Sequence, residues 1–240
     1  MRRRFFVERF EGRRARLQGD AAHHLGRVLR AQPGQLYELS DGQAVWLGRV
    51  ESVARDAVEF ALVEPVEASA PDRQLTLLLA VVKFDRLEWA LEKATELGAT
   101  EIIPLAATRS EKALVSAAPK RAARWQKILL EAAQQSRRLQ PPALRPCAAP
   151  REAFRNTQAG IKILLSERPE APALRSVIAG MTAREGAAAL AIGPEGGWTD
   201  QEFEAARAAE FREASLGGAI LRTETAVAAA LAVLNFALGE

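Results

Sequence analysis

Two glycine-containing loops, each leading into a helix, carry the strongest chemical signal in the sequence. The first, Gly193-Pro194-Glu195-Gly196-Gly197, directly follows an apolar run of strand length at Ala187 to Ile192. Glycines let a ligand approach the backbone closely, and α/β proteins bind ligands in loops that follow the carboxyl ends of parallel strands. Thr199 and Glu202 fit a capping box, so a helix is expected to begin directly after this loop. A tight turn without a ligand is the alternative interpretation.

The second loop gathers charged and hydroxyl groups at the start of a helix. It runs Leu216-Gly217-Gly218-Ala219-Ile220-Leu221-Arg222-Thr223-Glu224-Thr225-Ala226 and follows a predicted strand near Glu213 to Leu216. Exposed backbone N–H groups and the dipole at a helix N-terminus favour an anionic group of a ligand. Either Thr223 or Thr225 could instead serve only as the helix N-cap.

Neither loop has the features of a nucleotide-hydrolysing or dinucleotide-binding site. The first loop lacks the Lys-Ser/Thr ending that contacts phosphates and Mg²⁺, and no G-x-G-x-x-G follows a strand. What remains is a neutral backbone cradle, which suits an adenosine or a thioether better than a triphosphate. The single Cys147 and two adjacent histidines give no disulfide framework and no cysteine zinc site, so no metal is expected.

The elements that must position these loops alternate between strand and helix. Continuous apolar runs predict buried strands, and apolar residues at helical spacing predict helices, the first of which runs from Leu87 to Leu97 and ends at Gly98. This alternation predicts an α/β domain with a parallel sheet covered on both faces. The predicted strands are 75–82, 102–105, 161–165 and 187–192, and the remaining helices are 119–138, 199–209 and 222–238.

Residues 1–66 follow a different pattern, with short β-like runs separated by turn signals. Asp41-Gly42 predicts a hairpin, and Asp20 is a candidate N-cap for a short helix from Ala21 to Arg30. These features predict a small β-barrel with one helix over residues 1–70. A linker is expected at 67–73, before the α/β domain over 73–240. The predicted strands are 5–7, 35–40, 44–53 and 57–66.

Two basic regions stand out on a chain that is otherwise acidic. Residues 1–30 carry a net charge of +6 and residues 109–155 a net charge of +8, against +3 for the whole chain. Clustered cations bind polyanions by releasing phosphate counterions, so a polyanionic partner is expected, with solvated surface charge as the alternative. No apolar run is long enough for a membrane helix, and the arginine-rich start lacks the apolar segment of a signal peptide. A soluble, cytoplasmic protein is therefore expected.

Both glycine motifs resemble those of the bacterial small-subunit ribosomal RNA methyltransferase E type, a family of the SPOUT class. Further matches lie along nearly the whole chain, and the two C-terminal motifs together are highly specific. These further matches are His24 to Arg30, Lys83 with Arg86 and Glu88, Glu92 to Gly98, Arg109-Ser110, and Glu131 to Arg137.

The resemblance implies a PUA-like N-terminal barrel and a C-terminal α/β domain tied in a trefoil knot, which topology rules alone would have argued against. It also implies an enzyme that binds S-adenosylmethionine and methylates N3 of one uridine in the decoding region of 16S ribosomal RNA. A homodimer is implied as well, and helix 222–238 is apolar over more than one face. The implied cofactor-binding residues are Leu165, Ser166, Gly193, Pro194, Glu195, Gly196, Gly197, Leu216, Gly217, Ile220, Leu221, Arg222, Thr225 and Ala226.

Methylation at uracil N3 needs removal of a proton and stabilisation of the negative charge that develops on the uracil oxygens. Arg222 or Arg4 could supply the cation, and Glu195 or Glu224 could take the proton or position the amino group of the cofactor. Methylation of another RNA, such as transfer RNA, and RNA binding without catalysis remain open as alternatives. RNA contacts are expected from Arg4, Arg27, Arg30, Lys83, Arg86, Arg109, Arg124, Arg137 and Arg138.

Overall fold

The structure is a computed structural model that describes residues 3–68, 73–179 and 186–238. It divides into two compact units, one formed by residues 1–70 with 133–141 and the other by residues 71–132 with 142–240. The segment 133–141 therefore groups with the first unit, whereas the sequence pattern placed it in the second domain. Residues 69–72, which form most of the predicted linker, lie outside the described residues.

The first unit is built on a six-stranded sheet with the strand order β1-β4-β5-β6-β3-β2. The strand β1 pairs with β4 in parallel, and the other neighbours are antiparallel. Gly48 lies where a Cβ atom would be 2.4 Å from Cδ1 of Leu39, so only glycine fits at this point of the sheet. The strands are β1 Arg4–Phe6, β2 Phe10–Glu11, β3 Arg14–Gln18, β4 Leu36–Ser40, β5 Val45–Val53 and β6 Ala57–Val66.

One short α-helix packs on this sheet and continues into a π-helical turn. Helix α1 covers Gly19–His23, and a π-helical turn follows at His24–Val28. The prediction that Asp20 caps the helix is wrong, because the helix starts two residues earlier, after Gln18, and Asp20 lies inside its first turn. Arg30, at the end of the segment, has a left-handed backbone with φ of 53°. The helix and sheet close over an apolar core that includes Leu25 and Phe60.

Arg4 is buried in this unit rather than available to RNA. Its side chain is 5% exposed, and its Nε and Nη2 atoms donate to Oε2 of Glu38 at 3.1 and 3.0 Å. A further nitrogen, Nη1, donates to the carbonyl of Arg137. The expectation that Arg4 contacts RNA or stabilises the uracil is therefore corrected, because its donors are already used in a buried ion pair.

The second unit contains a six-stranded, fully parallel sheet with the order β12-β10-β11-β7-β8-β9. The five predicted strands are confirmed, the last of them as β12 at Arg212–Ala214 where 213–216 was predicted, and β9, α4 and α5 are additions that the sequence pattern did not predict. The strands are β7 Gln74–Ala80, β8 Glu101–Leu105, β9 Ala143–Leu144, β10 Ile161–Leu165, β11 Ala187–Ile192 and β12 Arg212–Ala214. The helices are α2 Phe84–Glu96, α3 Lys112–Gln135, α4 Pro150–Asn156, α5 Leu174–Ala179, α6 Asp200–Ala208 and α7 Thr223–Leu238.

Both faces of the parallel sheet are buried, as the continuous apolar strands predicted. Along β7, Leu77 and Leu79 belong to the core shared with α2, α3 and α7, whereas Leu78 and Ala80 belong to the core shared with α4 and α6. Successive side chains of a strand point to opposite faces, so a strand with two buried faces is apolar at most of its positions. This packing fixes the strand ends, and hence the loops that follow them.

We predict that Arg4→Ala destabilises the first unit by about 3 kcal/mol, because the buried Glu38 carboxylate loses its close ion pair and keeps the more distant Arg137, at 3.8 Å. Arg9→Ala is the matched control, since Arg9 pairs with Glu11 on the surface, where the two side chains are 77% and 65% exposed; it should change stability by less than about 0.5 kcal/mol. Hydrogen exchange of the β4 amides measures the free energy of opening for both variants. Equal protection in the two variants would show that the buried pair contributes nothing.

Candidate functional site

The loops that follow β10 and β11 and the start of α7 meet at the carboxyl edge of the parallel sheet. Two side-chain hydrogen bonds tie them together: Nε1 of Trp198 donates to the carbonyl of Leu165 at 3.0 Å, and Oγ1 of Thr223 donates to the carbonyl of Gly193 at 3.4 Å. Trp198 and Thr223 are both buried. The structure thus brings together the two glycine motifs and the end of β10, as the sequence predicted.

Gly193 makes room for a tryptophan. A Cβ atom at this position would lie 3.1 Å from the Trp198 indole, closer than nearly all such contacts in proteins. The indole packs edge-on against Phe154 in the core, with ring centroids 5.7 Å apart. Sequence reasoning offered ligand approach or a tight turn as the reason for this glycine, whereas the structure shows that it also makes room for the Trp198 indole.

Gly196 makes room for an arginine. A Cβ atom there would lie 3.2 Å from Cβ of Arg109, whose Nη1 donates to the Gly196 carbonyl at 2.8 Å.

In the second loop the glycines have open surroundings. A Cβ atom on Gly217 or Gly218 would meet no described heavy atom within 4 Å, and Gly217 has φ of +122°. Open backbone at Gly217 and Gly218 leaves space for a bound group beside the second loop.

A cavity of about 350 Å³ opens beside the first glycine loop. Three of the predicted RNA-binding cations meet here: Lys83 and Arg86 from the start of α2, and Arg109 from the loop between β8 and α3. The walls of the cavity combine these cations with apolar residues and two carboxylates. The lining residues are Val81, Val82, Lys83, Arg86, Arg109, Glu111, Leu114, Glu195 and Gly196.

Arg86 joins the two glutamates that the sequence left as alternatives. Its Nη1 atom lies 2.7 Å from Oε1 of Glu195, and its Nε atom lies 3.9 Å from Oε1 of Glu224. The Glu195 side chain is 45% exposed and borders the cavity, whereas that of Glu224 is 15% exposed. Oε2 of Glu224 is buried without a hydrogen-bond partner among the described residues. The long sequence separation of the three residues concealed this cluster.

Glu202 holds the loop after β8 to the start of α6. Its Oε2 atom accepts hydrogen bonds from the backbone N–H and hydroxyl of Thr199 and completes the predicted capping box, which is confirmed. Its Oε1 atom accepts a hydrogen bond from the backbone N–H of Thr108 at 2.8 Å, next to Arg109. The sequence predicted the cap but not this second contact, because no local pattern links positions 108 and 202.

The remaining candidates for cofactor binding and catalysis lie around the second loop. Ser166 is buried, and its hydroxyl accepts from the backbone N–H of Arg168. Ile220 is 82% exposed. Arg222, immediately before α7, is exposed and is outside the set of described residues that line the cavity. The other candidates differ in exposure. Pro194 is buried and Thr225 is exposed, and the half-buried ones are Gly197, Leu216, Leu221 and Ala226.

The remaining predicted RNA contacts lie outside the cavity. Arg27 and Arg30 are exposed around the π-helical turn. Arg124 is bound by both oxygens of Glu88, and these hydrogen bonds raise the pKa of its guanidinium. Arg137 is partly exposed, and its Nη1 atom lies 3.8 Å from Glu38. Arg138 is half-buried.

Other site chemistries find no support in the described part of the chain. It holds no group of three or more histidine, cysteine, aspartate or glutamate side chains placed to bind a metal ion. Burial raises the pKa of the Cys147 thiol, which disfavours the reactive thiolate. None of the helices in the described ranges combines the length and apolarity needed to cross a membrane.

Comparison with known proteins agrees with the fold and the site. An RNA methyltransferase domain family matches residues 69–235, and an RNA methyltransferase PUA domain family matches residues 17–63. Among curated relatives, ribosomal RNA small subunit methyltransferase E of Synechocystis sp. is 36% identical over 89% of this chain and 70% of its own length. The protein of the same name from Bacillus subtilis is 31% identical, over 92% of this chain and 89% of its own.

Among solved structures, ribosomal RNA small subunit methyltransferase E from Neisseria gonorrhoeae bound to S-adenosyl methionine superposes with a TM-score of 0.87. It is 31% identical and covers 98% of each chain. The match extends over both units, so the N-terminal unit is PUA-like and the C-terminal unit is an RNA methyltransferase domain. The chain belongs to the ribosomal RNA small subunit methyltransferase E family.

Proposed function

We propose that this enzyme transfers the methyl group of S-adenosylmethionine to N3 of a uridine in the decoding region of 16S ribosomal RNA, in the cytoplasm. The observation that carries the proposal is the position of the first glycine loop. Its residues Glu195 and Gly196 line the cationic cavity, and its Gly193 is bonded to the start of α7, beside the second loop. A methyl donor bound to the glycine loops and a nucleotide bound in the cavity would therefore both contact the first glycine loop.

The residues at the glycine loops fit S-adenosylmethionine. The open backbone at Gly217 and Gly218 can accept an adenosine or a thioether at van der Waals distance, and Ile220 and Leu221 offer apolar side chains beside it. The unpartnered buried oxygen of Glu224 is an acceptor suited to a cationic ligand with an amino group. When bound, the cofactor supplies a methyl group already activated by its positive sulfur.

The protein's own contribution is alignment and charge. The loops fix the donor while the cavity orients the base, and such positioning removes much of the entropic barrier to reaction. Arg222 is a candidate for charge stabilisation. A cation beside the N-terminus of α7 is unfavourable for the helix dipole, so Arg222 does not serve to stabilise the helix. Lys83 and Arg109 carry charge suited to the phosphates that flank the target base.

The wider RNA surface is assigned to exposed cations in both units. Arg27 and Arg30 of the PUA-like unit have the exposure that phosphate contacts require. Arg124, Arg137 and Arg138 remain in the proposal as weaker contributors, because Arg124 and Arg137 already face carboxylates and Arg138 is half-buried.

A homodimer and the trefoil knot are also part of the proposal. Helix α7 buries Val227, Leu231 and Leu234 in the core, yet Val233 and Phe236 on the same helix are 38% and 87% exposed. An exposed apolar stripe of this kind is typical of an interface. A second copy of this chain, bound through α7, would cover it.

The function is tested by mass mapping of nucleosides after separate incubations of the protein and S-adenosylmethionine with small ribosomal subunits and with transfer RNA. We expect 3-methyluridine at a single position of 16S RNA.

Gly218→Val should lower cofactor affinity at least tenfold by filling the open space beside the second loop. Gly186→Val is the control, because Gly186 has equally open surroundings but precedes β11 at the opposite edge of the sheet. Methyl groups found only in transfer RNA, or in no RNA, would refute the proposal.

We predict that replacing both Arg27 and Arg30 with alanine weakens RNA binding and leaves cofactor affinity unchanged. Each lost phosphate contact should reduce the slope of log affinity against log salt by about 0.7 to 0.9. RNA titrations at several salt concentrations, paired with calorimetric titration of the cofactor, measure both effects. Arg9 and Arg13 changed together to alanine form the control, because they are exposed arginines of the same unit outside the π-helical turn. A salt slope equal to that of the wild type would remove the turn from the RNA surface.

The dimer is tested by sedimentation at micromolar concentration. We expect wild type at twice the mass of the 26.1 kDa chain and Phe236→Asp as a monomer, because a buried charge opposes association. Val28→Asp should remain dimeric, since Val28 is an exposed apolar residue of the other unit, at 61% exposure. A monomeric wild type would contradict the prediction.

A further inference from the structure

Arg86 is held by more negative charge than it can neutralise. Its guanidinium lies 2.7 Å from Glu195 and 3.9 Å from Glu224, so the cluster of three carries a net charge of −1 when all are ionised. The side chain of Arg86 is 25% exposed and lines the cavity. A partly desolvated ion pair at a cavity wall interacts strongly with any charge that forms beside it.

We propose that Arg86 and Glu195 act as a matched pair on the target uracil. Glu195 accepts the N3 proton, and Arg86 stabilises the negative charge that develops on the adjacent uracil oxygen. This inference rests on the proposed function and assigns two catalytic residues within it. Arg86, which the sequence placed among the phosphate contacts, takes the role that the sequence gave to Arg222 or Arg4.

The reaction balances within this cluster. The N3–H bond breaks and its proton forms an O–H bond on Glu195, while the nitrogen electron pair forms the bond to the methyl carbon. The carbon–sulfur bond breaks with its electrons remaining on sulfur, which becomes a neutral thioether. During proton transfer Arg86 exchanges one anionic neighbour, the Glu195 carboxylate, for another, the uracil oxygen. The net charge around the guanidinium is unchanged, so little reorganisation is needed.

The geometry favours Glu195 over Glu224 as the base. Glu195 borders the cavity with a side chain that is 45% exposed, whereas the Glu224 side chain is 15% exposed and is not among the residues lining the cavity. Glu224 is then a positioning residue, which keeps the guanidinium in place when Glu195 becomes neutral. Arg109, the other arginine of the cavity, already donates to the Gly196 carbonyl.

The first test is the pH dependence of methylation in a single turnover at saturating RNA and cofactor. The charged groups that share the cavity with Glu195 are Lys83, Arg86, Arg109 and Glu111, and Glu224 lies 3.9 Å from Arg86. We expect Glu195→Gln to be about 100-fold slower than wild type at neutral pH, because it lacks the base. Its deficit should shrink about tenfold for each pH unit of increase, as the base-free route uses uracil that has already ionised.

The second test needs no cofactor and reads the charge on the base directly. A synthetic RNA carries one 5-fluorouridine at the target position, and the fluorine NMR shift of its complex with the protein follows N3 ionisation against pH. We expect Arg86→Ala to raise the midpoint by at least one pH unit and to slow turnover about 100-fold, the loss typical of one oxyanion donor. Arg86→Lys should recover part of both effects, and Glu195→Gln should not raise the midpoint.

Arg175→Ala is the matched control, because Arg175 is an exposed arginine of the same unit and lies outside the cavity. It should match wild type in rate and in the fluorine midpoint. Wild-type N3 methylation together with an unchanged midpoint and rate in Arg86→Ala overturns this inference alone, as does a constant deficit of Glu195→Gln across pH. Absence of N3 methylation by the wild type removes the proposed function as well.

Discussion

The buried indole of Trp198 is the contact on which the rest of the site depends. It packs against Phe154 within the core on one face of the parallel sheet, and its N–H reaches the last carbonyl of β10. One rigid side chain therefore fixes the first glycine loop to the neighbouring strand. A Cβ atom at Gly193 would lie 3.1 Å from the ring, so a larger residue there would require the indole to shift. Because the core is close-packed, the position of the indole determines the position of the first glycine loop.

The charged side chains fall into two groups that differ in exposure. Glu202 and the ion pair of Arg4 with Glu38 are buried and have their hydrogen bonds within the protein, so they set backbone positions. The cations of the cavity lie closer to solvent, on residues that follow the strand ends or begin a helix. Buried charges need fixed partners, whereas charges at a cavity wall can change partners when a ligand arrives. This difference separates the arginine that stabilises the fold from those suited to bind RNA.

Much of the fold could be predicted because the central parallel strands are mostly apolar and the apolar residues of the helices recur at helical spacing. The strand 187–192 and the capping box at Thr199 are visible within a few residues of sequence. The contacts that distinguish residues of one type depend on distant pairs. Nothing local marks Arg4 as buried, Gly193 as the neighbour of an indole, or Arg86 as the link between Glu195 and Glu224. The sequence therefore predicted which loops matter more reliably than the role of each side chain.

The first glycine loop has a different neighbour on each side. One side forms a wall of the cavity, and the other is hydrogen-bonded to the start of α7. A loop shared in this way makes two binding equilibria interdependent. Any ligand that shifts the loop from one side changes the affinity on the other, and thermodynamic linkage requires the effect to be equal in the reverse direction. The order in which two ligands arrive can then alter the rates of assembly, while the free energy of the fully assembled complex stays the same.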